Sequence, residues 1–498
     1  MNKKLLFVFV FMILLGIGTV VGKSIEAFNN NGGDTHYIPK LRVVGDVNKV
    51  VEINSTDGFP LTTIQETGKK LEGISLVHIL KVCEPITPQY DLLLVGLDGL
   101  FARLDGGQLK ACYIHFSEKS GWTSLMQHHP INSRIKELKE IVVVAKDNSL
   151  DEGINIINCE ENLSNITPGK LYFENFTVLP YYDGKSSKEV EGKAYDVKLY
   201  RMRKVLPIKK LIPPNNGKPS VLMGEEGDYE YIDGEGYLEL KDNKINYIDL
   251  SKRKQIQKVK GIIVNPPNNS IMNTYYDTLH YLENNENVLI IYIDGLGYHQ
   301  YKYGTANSFM PFISTKNEAK MALSVYKPVT NSGFAAMITG QPPKINGIHD
   351  RKAKDLRVPS LFGEALKMEK RGVLIEGSIK IMNTEIEPLL HVDKNKNNST
   401  DDEVLETALK KITEHPHLLM VHFHSVDDLG HKYGDLAPET MDKLKEIDGY
   451  VKALVENWEG KVIITSDHGM HKTNKEGGHG SFRYEDLIVP YIMLEGGK

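Results

Sequence analysis

A dense set of carboxylate and imidazole groups lies near the C-terminus of this 498-residue chain. Asp427 and His431 are separated by three residues, Asp467 and His468 are adjacent, and His479 follows His468 by eleven positions. Carboxylates and imidazoles bind divalent metal ions, and they also act as acids and bases in hydrolytic reactions. The spacing therefore predicts metal-assisted chemistry.

Apolar, β-branched runs come shortly before these groups and predict buried strands. A third run ends directly at Asp294-Gly295. In an open parallel α/β sheet, ligands bind beyond the carboxyl ends of the strands, so three strands that end near Asp or Asp-His direct their ligands to one place. The runs are 288–293, 418–423 and 461–465.

Three carboxylates and three imidazoles exceed the four ligands of one structural zinc and suit two metal ions about 4 Å apart. Thr330 can supply a missing seventh ligand, because the segment 327–340 reads as a loop, a threonine, a helix and a terminal glycine. A helix N-terminus favours phosphate, and a metal would make the hydroxyl a better nucleophile. Ser332 as the nucleophile, and Thr330 as a plain helix cap, remain open.

These residues belong to an ordered series of motifs. The motifs are Asp294-Gly295, Thr330 nine residues before Thr339-Gly340, Gly347-Ile348-His349-Asp350, Asp427 to His431 followed by Tyr433-Gly434, and Ser466 to Met470 with His479-Gly480. Through these motifs, residues 285–498 resemble the alkaline phosphatase superfamily and, within it, the type I phosphodiesterase/nucleotide pyrophosphatase group.

The resemblance implies a parallel-sheet α/β domain and two divalent ions, expected to be Zn²⁺. It implies that Asp427, His431 and His479 bind one ion, and that Asp294, Thr330, Asp467 and His468 bind the other. It also implies that Thr330 attacks phosphorus in a small phosphorylated substrate and forms a phosphothreonine intermediate.

Arg351 stands where the family carries a phosphate-binding asparagine. An arginine can bind a phosphoryl oxygen. The second candidate for this role is Asn331, which directly follows Thr330. No ligand cluster for a third metal is visible in the sequence. Three carboxylates and an ionised Thr330 would balance two divalent ions, and Arg351 would add one positive charge. This balance matches a singly charged diester and predicts a preference for diesters over monoesters. The alternatives are a phosphomonoesterase or phosphonate hydrolase of the same superfamily, and a non-enzymatic surface-binding protein with a degenerate hydrolase domain.

The N-terminal half carries no such ligand cluster. The order of its strands and turns predicts two α+β modules, 40–150 and 160–265, before a catalytic domain at 270–498; they are read either as diverged copies or as unrelated modules with similar strand-and-turn patterns. A helix is predicted after Ser75 and a helical run within 190–205. A truncated chain, 268–498, is expected to keep its hydrolytic activity.

The first module loosely resembles the molybdopterin-binding domain of the sulfite oxidase family through Leu41 to Val47 and Leu71 to Leu76. No cysteine is placed to bind molybdenum, which favours a spacer or binding role. In the C-terminal half, helices are predicted at 401–415 and 436–457. Cys83 is predicted to be a buried thiol, with one bridge from Cys112 to Cys83 or to Cys159 left open.

Composition limits the partners. With 41% hydrophobic residues, 25% charged residues, a net charge of −5 and no basic stripe, the chain is not expected to bind nucleic acid as a scaffold. Lys3-Lys4 followed by an apolar run to Val21 predicts a signal peptide or membrane anchor at 1–22, and residues 23–39 predict a flexible tether. The protein is therefore expected to be exported, either extracellular or attached to the outer face of the membrane.

Overall fold

The structure is a computed structural model that describes residues 40–66, 68–146, 152–212, 218–316, 318–474 and 476–497. The predicted signal or anchor at 1–22 and the tether at 23–39 lie outside the described residues. Within the described ranges, no helix is long and apolar enough to cross a membrane. The chain divides into two compact units between residues 146 and 147.

The first unit contains two sheets around one apolar core. One sheet has the order β2-β1-β9-β5-β6, in which β1 and β9 are parallel, and the other has the antiparallel order β3-β4-β7-β8. The elements are β1 Leu41–Gly45, β2 Val51–Ile53, β3 Leu61–Glu66, β4 Lys69–Ser75, α1 Leu76–Cys83, β5 Tyr90–Gly96, β6 Phe101–Asp105, β7 Cys112–Ser117, β8 Gly121–Met126 and β9 Leu138–Ala145.

Helix α1 follows Ser75 as predicted, although the serine side chain makes no capping hydrogen bond. The thiols of Cys83, Cys112 and Cys159 are all free. The buried thiol predicted for Cys83 is confirmed, and neither of the open disulfide pairings forms. No chain cross-link therefore stabilises this region, and its stability depends on packing.

The second unit begins with a sheet of the order β11-β10-β19-β14-β15. Its order and pairing directions match those of the β2-β1-β9-β5-β6 sheet, since β10 and β19 are parallel and the other pairs are antiparallel. The duplication itself stays a prediction. The elements are β10 Ile154–Ile157, β11 Asn162–Ile166, α2 Pro168–Leu171, β12 Thr177–Val190, β13 Lys193–Pro207, β14 Ser220–Gly224, β15 Tyr229–Ile232, β16 Tyr237–Lys241, β17 Lys244–Asp249, β18 Lys254–Ile256 and β19 Val259–Ile263.

The helical run predicted within 190–205 is wrong. These residues belong to a long antiparallel hairpin of β12 and β13. Tyr195, Val197 and Leu199 recur at every second position, which is the period of a strand and not of a helix.

Strands β12, β13, β16, β17 and β18 form a separate five-stranded sheet in that order. The C-terminal part of the second unit contains a seven-stranded sheet of the order β20-β22-β28-β25-β21-β24-β23. All its pairs are parallel except the two that involve β28. The strands are β20 Asn269–Ser270, β21 Val288–Ile293, β22 Lys320–Leu323, β23 Gly372–Ile375, β24 Leu418–Phe423, β25 Lys461–Thr465 and β28 Ile488–Glu495, and a small ribbon adds β26 His471–Lys472 and β27 Gly477–Gly478.

Helices cover both faces of this sheet. The predicted helices at 401–415 and 436–457 are confirmed with slightly shorter bounds, and the predicted mixed α/β class is confirmed. The helices are α3 Asn273–Glu283, α4 Tyr298–Ala306, α5 Thr330–Thr339, α6 Pro343–Asn346, α7 Leu361–Lys367, α8 Asp401–Ile412, α9 Ser425–Tyr433, α10 Pro438–Asn457 and α11 Tyr484–Leu487.

Alternate residues of the central strand β21 enter two different cores. Leu289 and Ile291 pack with α4, α8 and α10, whereas Ile290 and Tyr292 pack with α3, α5 and α7. The first of these cores also contains four buried residues from the sheet of β10, β14 and β19, namely Ile157, Val221, Met223 and Ile263. That sheet and the seven-stranded sheet therefore share one hydrophobic core.

Candidate metal centre

The sheet order places the predicted ligands at one edge. Strand β21 lies between β25 and β24 and is parallel to both, so the three carboxyl ends meet. Asp294 follows β21, and Asp467 lies two residues after β25. Gly295 has φ of +74°, and a Cβ at this position would lie 2.9 Å from Asp427 Oδ1. A side chain at position 295 would therefore displace the Asp427 carboxylate, which enters the site from the helix that follows β24.

One group of ligands is fully buried. Asp294, Asp467 and His468 have no exposed surface. His468 Nε2 lies 3.5 Å from Asp294 Oδ1 and 3.2 Å from Asp467 Oδ2. Thr330 Oγ1 lies 3.5 Å from the same nitrogen, because α5 begins at Thr330 with its first turn against Asp467. A Cβ at Gly333 would lie 2.6 Å from that aspartate, so only glycine permits this approach.

The second group lies beside the first. Asp427 and His431 are one turn apart on α9, with His431 Nε2 3.4 Å from Asp427 Oδ2. His479 Nε2 lies 3.7 Å from Asp427 Oδ1, and its ring stacks on His468 with centroids 3.8 Å apart. The stacked rings connect the two groups, so the structure brings together all seven residues predicted to bind metal.

The three histidines are oriented in the same way. Each directs Nδ1 towards a backbone carbonyl oxygen, so Nδ1–H is the donor and the lone pair is on Nε2. Metal-binding histidines are typically fixed through such a bond from the second ring nitrogen. The carbonyls belong to Gly477 for His431 (3.4 Å), to Gly469 for His468 (2.9 Å) and to Pro328 for His479 (3.0 Å).

Electrostatics also fits a cation site. Burial, followed by repulsion from neighbouring carboxylates, raises the pKa of Asp294 well above its usual range. Burial raises the pKa of Asp427 to about 7 and that of Asp467 to about 6. Burial lowers the pKa of His468 to about 3 and also lowers that of His479. A buried oxygen of each aspartate lacks a hydrogen-bond partner among the described residues, so divalent cations would stabilise this set.

Arg351 also reaches the site. Its Nη2 lies 2.6 Å from His479 Nε2 and donates to that lone pair. The amide nitrogen of Asn331 donates instead to carbonyls of the same loop, Arg351 O at 3.5 Å and Ala353 O at 3.2 Å. This bonding ties the Arg351 loop to the start of α5. Substrate binding by Arg351 and Asn331 stays a prediction.

His422 and His424 form a third group with Asp294, which the sequence argument did not expect. His422 Nε2 lies 3.2 Å and His424 Nδ1 3.1 Å from Asp294 Oδ2, and these atoms are close enough together to hold a metal ion. This group shares Asp294 with the predicted site of the second ion, so the expectation that no separate ligand cluster remains for a third metal stays a prediction. The alternation of two histidines along a predicted strand was the available signal, but it did not reveal that both rings meet Asp294.

A family model matches the part of the chain that holds most of the predicted ligands. Residues 372–490 match the model of the family "Type I phosphodiesterase / nucleotide pyrophosphatase". Human GPI ethanolamine phosphate transferase 3, catalytic subunit, is 38% identical over 76 residues, which is 15% of this chain and 7% of that protein. Rat ectonucleotide pyrophosphatase/phosphodiesterase family member 7 is 35% identical over 80 residues, 14% of this chain and 18% of that protein.

Two solved structures show a limited likeness. Phosphonoacetate hydrolase from Sinorhizobium meliloti 1021, in complex with phosphonoformate, is 18% identical with a TM-score of 0.32, over 37% of this chain and 56% of that one. Murine ectonucleotide pyrophosphatase / phosphodiesterase 5 is 17% identical with a TM-score of 0.32, over 38% and 59%. The family match spans Asp427, His431, Asp467, His468 and His479. Residues 372–490 thus match the type I phosphodiesterase / nucleotide pyrophosphatase family, which confirms the resemblance inferred from the motifs for this part of the chain.

Proposed function

We propose that this chain is a metal-dependent phosphoesterase that cleaves phosphodiesters, with Thr330 as the nucleophile. The observation that carries this proposal is the common orientation of His431, His468 and His479. Their Nε2 atoms face buried aspartates, and one carboxylate oxygen of each aspartate lacks a hydrogen-bond partner among the described residues. The family match over residues 372–490 agrees with this chemistry.

Two divalent ions, proposed to be Zn²⁺, would be held in the way the resemblance implies. Asp427, His431 and His479 would hold one, and Asp294, Thr330, Asp467 and His468 the other. When bound, such ions stabilise charge on the phosphoryl oxygens and favour the ionised forms of hydroxyl and water. Three carboxylates and an ionised Thr330 would balance the charge of two divalent ions.

The chain's own residues position the reaction. Thr330 Oγ1 lies at the start of α5, where backbone N–H groups and the helix dipole attract a phosphoryl oxygen. In the first step a bond forms between Oγ1 and phosphorus, and the bond to the leaving alcohol breaks. Water then cleaves the phosphothreonine and restores the hydroxyl. Arg351 would bind one of the phosphoryl oxygens, since its side chain already extends to His479.

Thr330→Ala and Ser332→Ala form a matched pair for testing the nucleophile. Both hydroxyls are on the first turn of α5 and both are buried. We expect Thr330→Ala to lower kcat for bis(4-nitrophenyl) phosphate by roughly three orders of magnitude or more, with the Ser332 variant close to wild type. Near-normal turnover by Thr330→Ala together with an inactive Ser332→Ala would transfer the role to Ser332.

Metal content separates the enzyme from the non-enzymatic alternative. We expect about two zinc ions per chain by elemental analysis, and loss of turnover on treatment with a chelator. A chain that binds no metal, and hydrolyses neither diesters nor monoesters when zinc is supplied, would be a surface-binding protein with a degenerate site.

The third ligand group favours a second candidate, a phosphomonoesterase. Asp294, His422 and His424 could hold another cation next to the phosphoryl site, and an added cation would help to bind a dianionic monoester. The ratio of kcat/KM for bis(4-nitrophenyl) phosphate to that for 4-nitrophenyl phosphate decides between them. A ratio below one, with about three metal ions per chain, would support the monoesterase.

We also propose that the protein is exported. The support is in the sequence, where Lys3-Lys4 precede an apolar run that ends at Val21. N-terminal sequencing of the protein recovered from the medium and the membrane fraction tests this. A start near residue 23 indicates a cleaved signal, whereas recovery of the intact chain in the membrane fraction indicates a retained anchor.

A further inference from the structure

A cleft of about 440 Å³ adjoins the candidate metal centre at His479. Asn155, Glu225 and Lys260 line it on one side, and Lys327, His349 and His479 line it on the other. The first three come from the sheet that precedes the seven-stranded sheet in the chain. A region for which the sequence predicted no part in the chemistry thus supplies one wall of a cleft beside the site.

This wall is held firmly in place. Gly261, next to Lys260 on β19, lies directly against Phe482, because a Cβ there would be 2.2 Å from the ring. Asn162 Nδ2 donates to Glu485 Oε2 at 3.1 Å, and the Lys344 ammonium donates to Asp228. These contacts join the two sides of the cleft in addition to the shared hydrophobic core, so Lys260 has a fixed position relative to His479.

The cleft lies close to the proposed nucleophile. His479 stacks on His468, whose Nε2 lies 3.5 Å from Thr330 Oγ1. Lys327 precedes Thr330 by three positions in the chain, which limits the distance between their Cα atoms to about 11 Å. A group attached to a phosphate at Thr330 by a short linker could therefore enter the cleft.

Two cations line the cleft without a counter-ion. Among the described residues, neither the Lys260 nor the Lys327 ammonium has a hydrogen-bond or ion-pair partner. The Glu225 carboxylate that lines the cleft is already paired with Lys258, at 3.6 Å. The cleft therefore carries a net positive charge, which attracts an anion.

We propose that this cleft binds a second anionic group of the substrate, and that Lys260 is a specificity-determining residue. This inference rests on the proposed phosphodiesterase function. The substrate class is a phosphodiester in which one of the two ester groups carries a carboxylate, sulfonate or phosphate near the scissile phosphate. The cleft volume falls within the range of small-molecule sites.

The test compares diesters that share one 4-nitrophenyl ester and differ in the second ring: bis(4-nitrophenyl) phosphate, and 4-nitrophenyl aryl phosphates whose second ring carries a 3-carboxylate, a 3-sulfonate or a 3-phosphate. The quantity measured is the ratio of kcat/KM for each anionic diester to that for the bis(4-nitrophenyl) ester. Lys260→Met removes the charge but keeps an apolar stem. Lys244→Met is the matched control, since Lys244 is an exposed lysine on β17 of the same region.

We expect the ratio to fall roughly two- to fivefold in Lys260→Met for at least one anionic diester, the size of a partly exposed charge contact. Lys260→Arg should retain it, and Lys244→Met should leave it unchanged. The anionic diester whose ratio falls identifies the preferred group. An unchanged ratio for all three in Lys260→Met, with bis(4-nitrophenyl) phosphate still hydrolysed, would overturn this inference alone. Failure of the zinc-loaded wild type to hydrolyse any diester would overturn the proposed function and this inference together.

Discussion

The loop that carries His479 depends on one buried carboxylate, and replacing it should weaken metal binding. Asp486 is fully buried, and it accepts hydrogen bonds from His471 Nδ1 at 2.7 Å and from the Ser481 N–H at 2.9 Å. Asn in Asp486→Asn has almost the same shape, but it has only one carbonyl oxygen to accept both donors, and its NH₂ group faces the other donor. We therefore expect a loss of about 1–3 kcal/mol in the free energy of unfolding.

The expected effect on metal binding is comparable in free energy to the effect on the fold. Loosening residues 471–481 moves His479 away from Asp427, and the loss of a residue that orients a ligand typically costs about 10- to 100-fold in metal affinity. The assay is zinc binding to the chelator-treated protein by competition with a chromophoric chelator, together with urea unfolding. We expect weakened binding of one of two ions, since His468 holds the other group.

Asp448→Asn is the matched control. Asp448 is also buried and also accepts two hydrogen bonds, from the N–H groups of Phe312 (2.7 Å) and Ile313 (3.0 Å), but it lies on α10 away from the metal ligands. This variant should lose similar stability and keep both zinc affinities. Equal zinc affinity in the two variants would refute the role assigned to Asp486.

Three further predictions concern pH, domain structure and phosphate binding. Burial raises the pKa of Glu376 to about 7, above its unfolded value of 4.5, so the folded state favours the protonated carboxyl group. The free energy of unfolding of the wild type should therefore decline by about 3 kcal/mol between pH 4.5 and 7 relative to that of Glu376→Gln. Urea unfolding at several pH values measures this difference. A chain of residues 268–498 should not fold, because it lacks Ile157, Val221, Met223 and Ile263, whose burial in the shared core contributes roughly 6–12 kcal/mol. Thermal unfolding followed by circular dichroism should show no cooperative transition, and a cooperative transition would contradict this prediction. Arg351→Ala should lower kcat/KM for diesters and monoesters alike by about tenfold to a hundredfold, and the neighbouring Lys352→Ala should have little effect; a loss confined to one ester class would contradict the phosphate-binding role.

The sequence predicted which of these side chains lie close together, because their positions follow from local patterns. Each strand next to the site is a predominantly apolar run, which is typical of the buried strands of a parallel sheet. Once 288–293, 418–423 and 461–465 are parallel neighbours, Asp294, Asp427 and Asp467 must meet at one edge. The prediction of Thr330 followed in the same way from the start of a helix.

The role of the preceding sheet could not be predicted in this way. Its strands β10, β14 and β19 are short and apolar, and nothing in them distinguishes a face that closes its own core from one that packs against another sheet. The absence of metal ligands in that region led to the expectation that residues 268–498 would suffice for hydrolysis. The shared core and the position of Lys260 argue against that expectation, since stability and a cleft wall both come from outside this segment.

The orientation of the histidines shows most clearly what a sequence omits. Motifs identify His431, His468 and His479, but the groups that fix their lone pairs are the carbonyls of Gly477, Gly469 and Pro328. Every residue has a carbonyl oxygen, so no pattern of residue types marks these positions. Only the course of the backbone places an acceptor behind each ring, so we expect the loops around the site to contribute to metal binding together with the predicted ligands. For this reason a change such as Asp486→Asn, which touches no metal ligand, is expected to lower zinc affinity.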